Sequence, residues 1–176
     1  MSKEELYDVV NVDGKPIRIA SWQEVHSKGL LHMVVAIFIF KDHVYKELLL
    51  QQRSKKMNQD PGLWNHSAGG HMLSGETPDK AMLRELSEEL FYRQNLPDLN
   101  IQKVITFYNH DFPNNKELCH LFQTTHPGPF SFQNEEVEGE LKWMPWCDLL
   151  KDIDKNPKNY SVSFKNAIIN YRKPLS

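Results

Sequence analysis

The sequence predicts a domain of the mixed α/β (α+β) class, in which α-helices cover a mixed β-sheet. The apolar run at residues 32–40 is rich in β-branched and aromatic side chains, which favours a strand buried on both faces. Thr77-Pro78 is typical of a helix start, because the hydroxyl caps the helix and proline needs no N–H there. Strands come first, then one central helix, more strands and further helices, an order typical of a sheet covered by helices.

The first 30 residues predict a small hairpin and a short helix. Residues 7–12 lead into Asp13-Gly14, a pair that favours a tight turn between two strands. Residues 22–28 precede Gly29, and a glycine at that position is typical of a helix end. After the buried strand, residues 45–53 are expected to form a second strand of the sheet.

The central part of the chain predicts one long helix between loops and strands. A polar loop at 54–61 and a glycine-containing stretch at 62–75 precede a helix expected from Pro78 to about residue 92. The remaining expected elements are strands at 101–109 and 118–125, an acidic loop at 134–140, a short helix near Asp148 and a closing helix at 163–171.

Length and composition restrict the class of protein. The 176 residues, of which 40 % are hydrophobic and 25 % charged, predict one globular domain over residues 1–176. A net charge of −2 argues against a nucleic-acid partner, and the longest apolar run, 33–40, is too short to cross a membrane. With only Cys119 and Cys147, a reducing, cytoplasmic location is expected. The oligomeric state stays open.

The predicted central helix carries three acids on one face. Glu85, Glu88 and Glu89 stand at i, i+3 and i+4, so their like charges repel one another. A Mg²⁺ ion would remove that repulsion, since it prefers oxygen ligands and commonly bridges carboxylates to substrate phosphates. The alternative is an ordinary solvated helix face, on which charge runs are common.

The wider spacing resembles the signature of the Nudix hydrolases. A glycine, five residues, a glutamate, seven residues and then Arg-Glu-apolar-x-Glu-Glu are matched by Gly70, Glu76, Arg84, Glu85, Leu86, Glu88 and Glu89. The resemblance implies the Nudix fold, with a mixed sheet between helices and a loop–helix motif at residues 70–92. One position departs from the pattern: Phe91 stands where the signature has a glycine, which puts the geometry of the following loop in question.

The resemblance also implies roles for individual residues. Glu85, Glu88 and Glu89, with the carbonyl of Gly70, would bind Mg²⁺ or Mn²⁺, while Arg84 would pair with Glu76 in a structural role. The family's reaction is attack of water on a diphosphate bonded to a further group. Further candidates are Arg53 for binding a substrate phosphate and, besides Glu88 and Glu89, two loop glutamates for the general base, Glu136 and Glu138.

Much of the remaining chain resembles one branch of that superfamily, the type 1 isopentenyl-diphosphate isomerases. The shared segments include Leu50-Gln-Gln-Arg53-Ser, Pro61-Gly62-x-Trp64-Asn65-x-Ser67, Trp146-Cys147-Asp148-Leu149 and Asn156-Pro-x-x-Tyr160-Ser161.

The isomerases hold a second metal ion with three histidines and two glutamates. His26, His32, His71 and Glu117 match four of these ligands, and Asn115 stands near the place of the fifth. Such a mixed nitrogen and oxygen set suits Mn²⁺ or Zn²⁺. The alternative is that these are ordinary structural histidines.

The isomerase reaction requires a cysteine directly before the Gly-His pair, where this sequence has Gly69. We therefore expect a Mg²⁺-dependent Nudix hydrolase that cleaves a diphosphate bond in a nucleoside diphosphate derivative or a related organic diphosphate. The alternatives are an isopentenyl-diphosphate isomerase or its inactive relative, and a non-catalytic nucleotide-binding Nudix module. The aromatic residues considered for stacking on a nucleobase, or for the core, are Trp64, Phe107, Tyr108, Trp143 and Trp146.

Overall fold

A computed structural model describes residues 5–57, 59–111, 114–131 and 140–172 of the chain. These residues form nine strands of one mixed sheet and four α-helices, so the predicted fold class is confirmed. The strands are β1 (Leu6–Val10), β2 (Pro16–Ser21), β3 (Leu31–Phe40), β4 (Glu47–Gln52), β5 (Trp64–Asn65), β6 (Ala68–His71), β7 (Gln102–Asp111), β8 (Asn115–Thr125) and β9 (Leu141–Pro145). The helices are α1 (Trp22–Lys28), α2 (Pro78–Glu89), α3 (Trp146–Lys155) and α4 (Val162–Tyr171).

Strand β3 is the centre of the sheet. It runs parallel to β8 over its whole length, from the pair Leu31–Lys116 to the pair Phe40–Thr125, and antiparallel to β6 on its other side. Every residue from Val34 to Phe40 is buried. The sequence pattern predicted this burial, because a strand covered on both faces has no polar side.

Helices cover both faces of the sheet. On one face, Phe38 and Leu121 pack with α3 and α4 in a core that includes Phe164. On the other face, Val35 and Ile37 pack against the apolar side of α2. Alternate residues of β3 therefore enter different cores, since successive side chains of a strand point to opposite faces.

Phe91 belongs to the core on the α2 side. It is buried and donates its N–H to the Leu86 carbonyl over 3.0 Å. Among the described residues, positive φ at non-glycine positions occurs only at Tyr45, Asp60 and Arg93. Position 91 therefore does not require the glycine of the family signature.

Two strands form where the sequence predicted only a loop. Strands β5 and β6 lie in the 62–75 stretch, whose glycines have low strand propensity. Residues 68–71 become a strand because they pair with residues 34–37 of β3, a long-range contact that overrides local preference. Helix α2 ends at Glu89, earlier than predicted, because Phe91 and Tyr92 turn towards Ser131.

The N-terminal hairpin and helix form as predicted. Gly14 in the turn and Gly29 after α1 both have positive φ, 76° and 58°, a conformation that glycine adopts at little cost. None of the helices in the described part of the chain is both long and apolar enough to cross a membrane.

Candidate functional site

Helix α2 places its acids beside strand β6. The Thr77 hydroxyl caps the helix by accepting the Lys80 N–H, and Ala81, Met82 and Leu86 bury the apolar side of the helix. This packing sets the rotation of the helix about its axis. Glu85, which follows Arg84 on the same helix, is thereby turned towards the strand and is 8 % exposed.

Arg84 ties α2 to the loop that precedes it. Its Nε and Nη2 each donate to one carboxylate oxygen of Glu76 over 3.0 Å, and Nη2 also donates to the His71 carbonyl over 2.8 Å. Although burial opposes ionisation, these bonds hold the pKa of Glu76 below its ordinary value. The two residues predicted to pair are thus in contact, in a bidentate geometry that arginine favours.

Each of the three acids of α2 accepts a hydrogen bond, two of them from Arg84 and one from a backbone N–H. Glu85 accepts from Arg84 Nη1 over 2.7 Å, and Glu88 accepts from the same nitrogen over 3.2 Å. Glu89 accepts from the Gly69 backbone N–H over 3.1 Å. Burial raises the pKa of Glu85 to about 7, against the opposing effect of Arg84.

The absence of a side chain at Gly70 provides the space that the Glu85 carboxylate occupies. A Cβ at position 70 would lie 2.6 Å from Glu85 Cδ, so any larger residue would push the carboxylate away. The carboxylates of Glu85, Glu88 and Glu89 offer oxygen atoms, which are the ligands that Mg²⁺ prefers. The residues present therefore fit a hard divalent cation in chemical type.

Three histidines from three separate elements meet next to these acids. His26 is on α1, His32 on β3 and His71 on β6, and one ring nitrogen of each lies within 4.8 Å of the others. Within the described residues, this is the one group of three or more candidate metal ligands at that spacing. The acids of α2, held by Arg84 and Gly69, do not form such a group.

Second partners orient two of these rings. His26 Nδ1 lies 2.9 Å from the Trp22 carbonyl and His32 Nδ1 lies 3.0 Å from the Leu30 carbonyl. Since a carbonyl can only accept, both Nδ1 atoms carry a hydrogen, and Nε2 is the ring nitrogen left to bind a cation. His32 Nε2 is buried and has no hydrogen-bond partner in the part of the chain that the structure describes. Burial lowers the pKa of His32 and, with the neighbouring histidines, that of His71.

Glu117, the fourth predicted ligand, lies outside the 4.8 Å group and is held by amides. Its two oxygens accept from Asn109 Nδ2 over 2.7 Å and from Asn115 Nδ2 over 2.8 Å. Asn166 on α4 in turn donates to Asn109 Oδ1 over 2.7 Å. Asn115 Oδ1 is buried and has no hydrogen-bond partner among the described residues.

One cavity of about 470 Å³ is lined by the acids of α2, His71 and Glu117, whereas His26 and His32 are not in its wall. Its wall includes Arg53, whose Nε donates to the Gln59 carbonyl over 3.0 Å. The other predicted site residues in the wall are Gly70, His71, Arg84, Glu85, Glu88, Glu89 and Glu117. Glu136 and Glu138, the predicted loop candidates for the general base, lie outside the described residues.

Sequence reasoning missed two residues near this site. Asn109 holds Glu117, and Trp22 lines the cavity and stacks on His26 with ring centroids 4.4 Å apart. Trp22 and His26 are four residues apart on one predicted helix, so their contact could have been predicted from the sequence. Asn109 gave no such signal, because its partner is on another strand. None of the five aromatic residues predicted from sequence lines the cavity.

Comparison with known proteins finds relatives that are named as isomerases and as Nudix hydrolases. The chain is 30 % identical over 168 residues to isopentenyl-diphosphate Delta-isomerase 2 of Photorhabdus laumondii, a match that covers 94 % of this chain and 91 % of that protein. It is 32 % identical over 168 residues to Nudix hydrolase 3 of Arabidopsis thaliana, covering 89 % of this chain and 21 % of that longer protein.

The fold is shared with solved structures as well. The structure of DR0079 from Deinococcus radiodurans superimposes with a TM-score of 0.78 at 20 % identity, covering 96 % of this chain and all of that one. The NUDIX domain family matches residues 30–164, a range that contains the helix α2 acids, Gly70 and two of the three grouped histidines. The chain therefore belongs to the Nudix family.

Proposed function

We propose that the protein is a Mg²⁺- or Mn²⁺-dependent Nudix hydrolase. Its substrate would be a nucleoside diphosphate derivative or a related organic diphosphate, cleaved at the diphosphate bond. The observation that carries this proposal is the complete set of Glu85, Glu88 and Glu89 in the wall of one cavity, with Gly70 leaving room for the first of them.

Each residue of the site has a distinct task in this proposal. Glu85, Glu88 and Glu89 would hold the cation, which when bound neutralises charge on the diphosphate and acidifies a water molecule. Arg53, whose Nε donates to the Gln59 carbonyl, would orient a phosphate of the substrate with its guanidinium group. Arg84 acts indirectly, because it holds the loop at Glu76 and the backbone of His71. The general base is one of Glu88, Glu89, Glu136 and Glu138.

Position 69 disfavours the isomerase reaction. The isomerase reaction needs a cysteine at this position. A Cβ added to Gly69 would lie 2.5 Å from the Val35 carbonyl oxygen and 3.0 Å from Ala36 Cα. Contacts this short require the strand to move. The close approach of β6 to β3 is therefore adapted to glycine, and the site lacks the acid–base group on which the isomerases depend.

Isomerase activity is nevertheless the second candidate, because the histidine group is intact and a close relative bears that name. We also propose that this group binds Zn²⁺ or Mn²⁺. His32 Nε2 and Asn115 Oδ1 are buried acceptors that have no hydrogen-bond partner among the described residues, and they are ligand atoms of the kind that such cations take.

A time course followed by ³¹P NMR separates the candidates. The protein would be incubated with Mg²⁺ and a nucleotide sugar, a dinucleoside polyphosphate, nucleoside di- and triphosphates or isopentenyl diphosphate. Growth of a monophosphate resonance as a diphosphate resonance declines supports the hydrolase. Allylic product or solvent proton exchange with isopentenyl diphosphate supports the isomerase. Tight binding without either product supports a non-catalytic module.

Removal of one cation ligand tests the site directly. We expect Glu89→Gln to lower kcat by about two to four orders of magnitude while leaving the unfolding midpoint unchanged, because the amide oxygen carries no charge. The matched control is Glu47→Gln, at a glutamate paired with Lys41 outside the cavity. Equal rates for the two variants would refute the assignment of the cation site.

A further inference from the structure

Trp22 is the most exposed aromatic residue in the wall of the cavity. It is 46 % exposed, whereas Tyr7, the other tyrosine or tryptophan of the wall, is 2 % exposed. Burial of Tyr7 leaves it unable to stack on a ligand. Trp22 is thus the aromatic side chain of the wall that offers the most surface to a ligand.

The ring of Trp22 is held in one orientation. One face lies against His26, with centroids 4.4 Å apart and planes inclined by 25°. The Trp22 carbonyl also accepts from His26 Nδ1, and His26 Nε2 lies 3.3 Å from His71 Nε2. With its inner face covered, the exposed part of the indole faces away from His26, and little ordering is needed when a ligand arrives.

The chemistry of this surface favours a planar, polar-edged group. An aliphatic chain gains from a wall that encloses it, because its stabilisation scales with the apolar area removed from water. A nucleobase instead gains from one aromatic face while its polar edges stay hydrated. The indole of Trp22 offers one partly exposed flat face and does not enclose a ligand, so it suits a nucleobase better than an aliphatic chain.

We propose that the open face of Trp22 is a stacking platform for the nucleobase of the substrate. This proposal rests on the proposed hydrolase function, because it takes this cavity as the substrate site. It restricts the substrate to nucleoside diphosphate derivatives. The diphosphate would then lie towards the acids of α2, which line the same cavity.

Binding of two ligands that cannot be hydrolysed tests the platform. Adenosine 5′-(α,β-methylene)diphosphate carries the base, and methylenediphosphonate carries only the paired phosphorus groups. Each would be titrated calorimetrically, with MgCl₂, into the unsubstituted protein and into Trp22→Phe, Trp22→Ala and Tyr108→Ala. Tyr108 is the matched control, because it is 52 % exposed and does not line the cavity.

We expect Trp22→Ala to lower the affinity for the adenosine ligand roughly 5- to 100-fold, which is the range typical of losing one base stack. Trp22→Phe should lose less, because it retains an aromatic face, and Tyr108→Ala should change nothing. The affinity of methylenediphosphonate should stay within about twofold in all variants.

Three results would overturn the platform: no loss for the adenosine ligand, an equal loss for both ligands, or no advantage of the adenosine ligand in the unsubstituted protein. Because neither ligand is turned over, these results are independent of the ³¹P experiment. If the protein binds the base through Trp22 but hydrolyses no substrate, the proposed hydrolase function is wrong and the stacking role of Trp22 still holds.

Discussion

At the scale of single residues, His66 shows how burial sets protonation in this molecule. Its ring lies between Phe38, at 6.0 Å, and Phe164, at 5.6 Å. It is 5 % exposed and its Nε2 has no partner in the described part of the chain. Burial, and to a lesser extent the charge of Arg53, lowers the pKa of His66 to about 3, so the folded protein holds it neutral.

This shift predicts acid sensitivity. An unfolded histidine takes up a proton below its ordinary pKa of 6.5, while folded His66 does not, so the free energy of unfolding falls as the pH falls below that value. Between pH 6.5 and pH 5 the loss at this residue is about 1.5 kcal/mol. His66→Phe, which keeps a ring between the two phenylalanines, should show a shallower loss in urea unfolding measured at both pH values.

His110→Phe serves as the control for that experiment, since His110 is exposed. It should retain the acid dependence of the unsubstituted protein. If His66→Phe and the unsubstituted protein lose the same stability between the two pH values, then His66 is not the group that titrates.

At the scale of elements, strand β6 connects the sheet to the site. It pairs with β3 from Ala68 to His71, and its two glycines serve different neighbours. Gly70 gives space to Glu85 on α2, whereas Gly69 lets the strand approach the Val35 carbonyl. The strand therefore brings His71 and the backbone of residue 69 to the cavity only because two side chains are missing.

We expect Gly69→Ala and Gly69→Cys each to lower the free energy of unfolding by about 1–3 kcal/mol. The reason is the contact of the new Cβ with the Val35 carbonyl oxygen, which both substitutions share. Chemical denaturation of the two variants measures the loss. Unchanged midpoints would show that β6 tolerates a side chain there, and Gly69→Cys should then be assayed for isomerase activity.

At the scale of the whole molecule, the histidine group connects three different elements of the fold. His26 comes from the N-terminal helix, His32 from the central strand and His71 from the strand beside it. A metal ion at this point would cross-link these three elements in the folded state alone. Binding would therefore stabilise the fold by mass action.

We expect Zn²⁺ at about a hundred times its Kd to raise Tm by roughly 5–10 °C. His26→Asn should abolish most of this shift, because it removes one ligand from a set of three. His43→Asn is the control, at an exposed histidine outside the group. A shift of the same size in both variants would place the bound zinc elsewhere.

Local patterns predicted the parts of the site that lie within one element. The i, i+3, i+4 spacing of Glu85, Glu88 and Glu89 follows from helix geometry, and the start at Thr77-Pro78 follows from capping chemistry. The strand at 31–40 was likewise readable, because its residues are apolar on both faces. These features depend only on neighbours along the chain.

Contacts between distant segments were decided by the tertiary structure. The sequence by itself determined which residues are able to bind a cation, and the resemblance to the Nudix family indicated which histidines belong together. Only the fold showed that His26, His32 and His71 meet, and that the carboxylate of Glu117 accepts hydrogen bonds from Asn109 and Asn115. It also showed β6 as a strand and Trp22 as an open face of the cavity. The physical reason is that helix periodicity and capping act over a few residues, whereas strand register and side-chain burial depend on the packing of the whole chain.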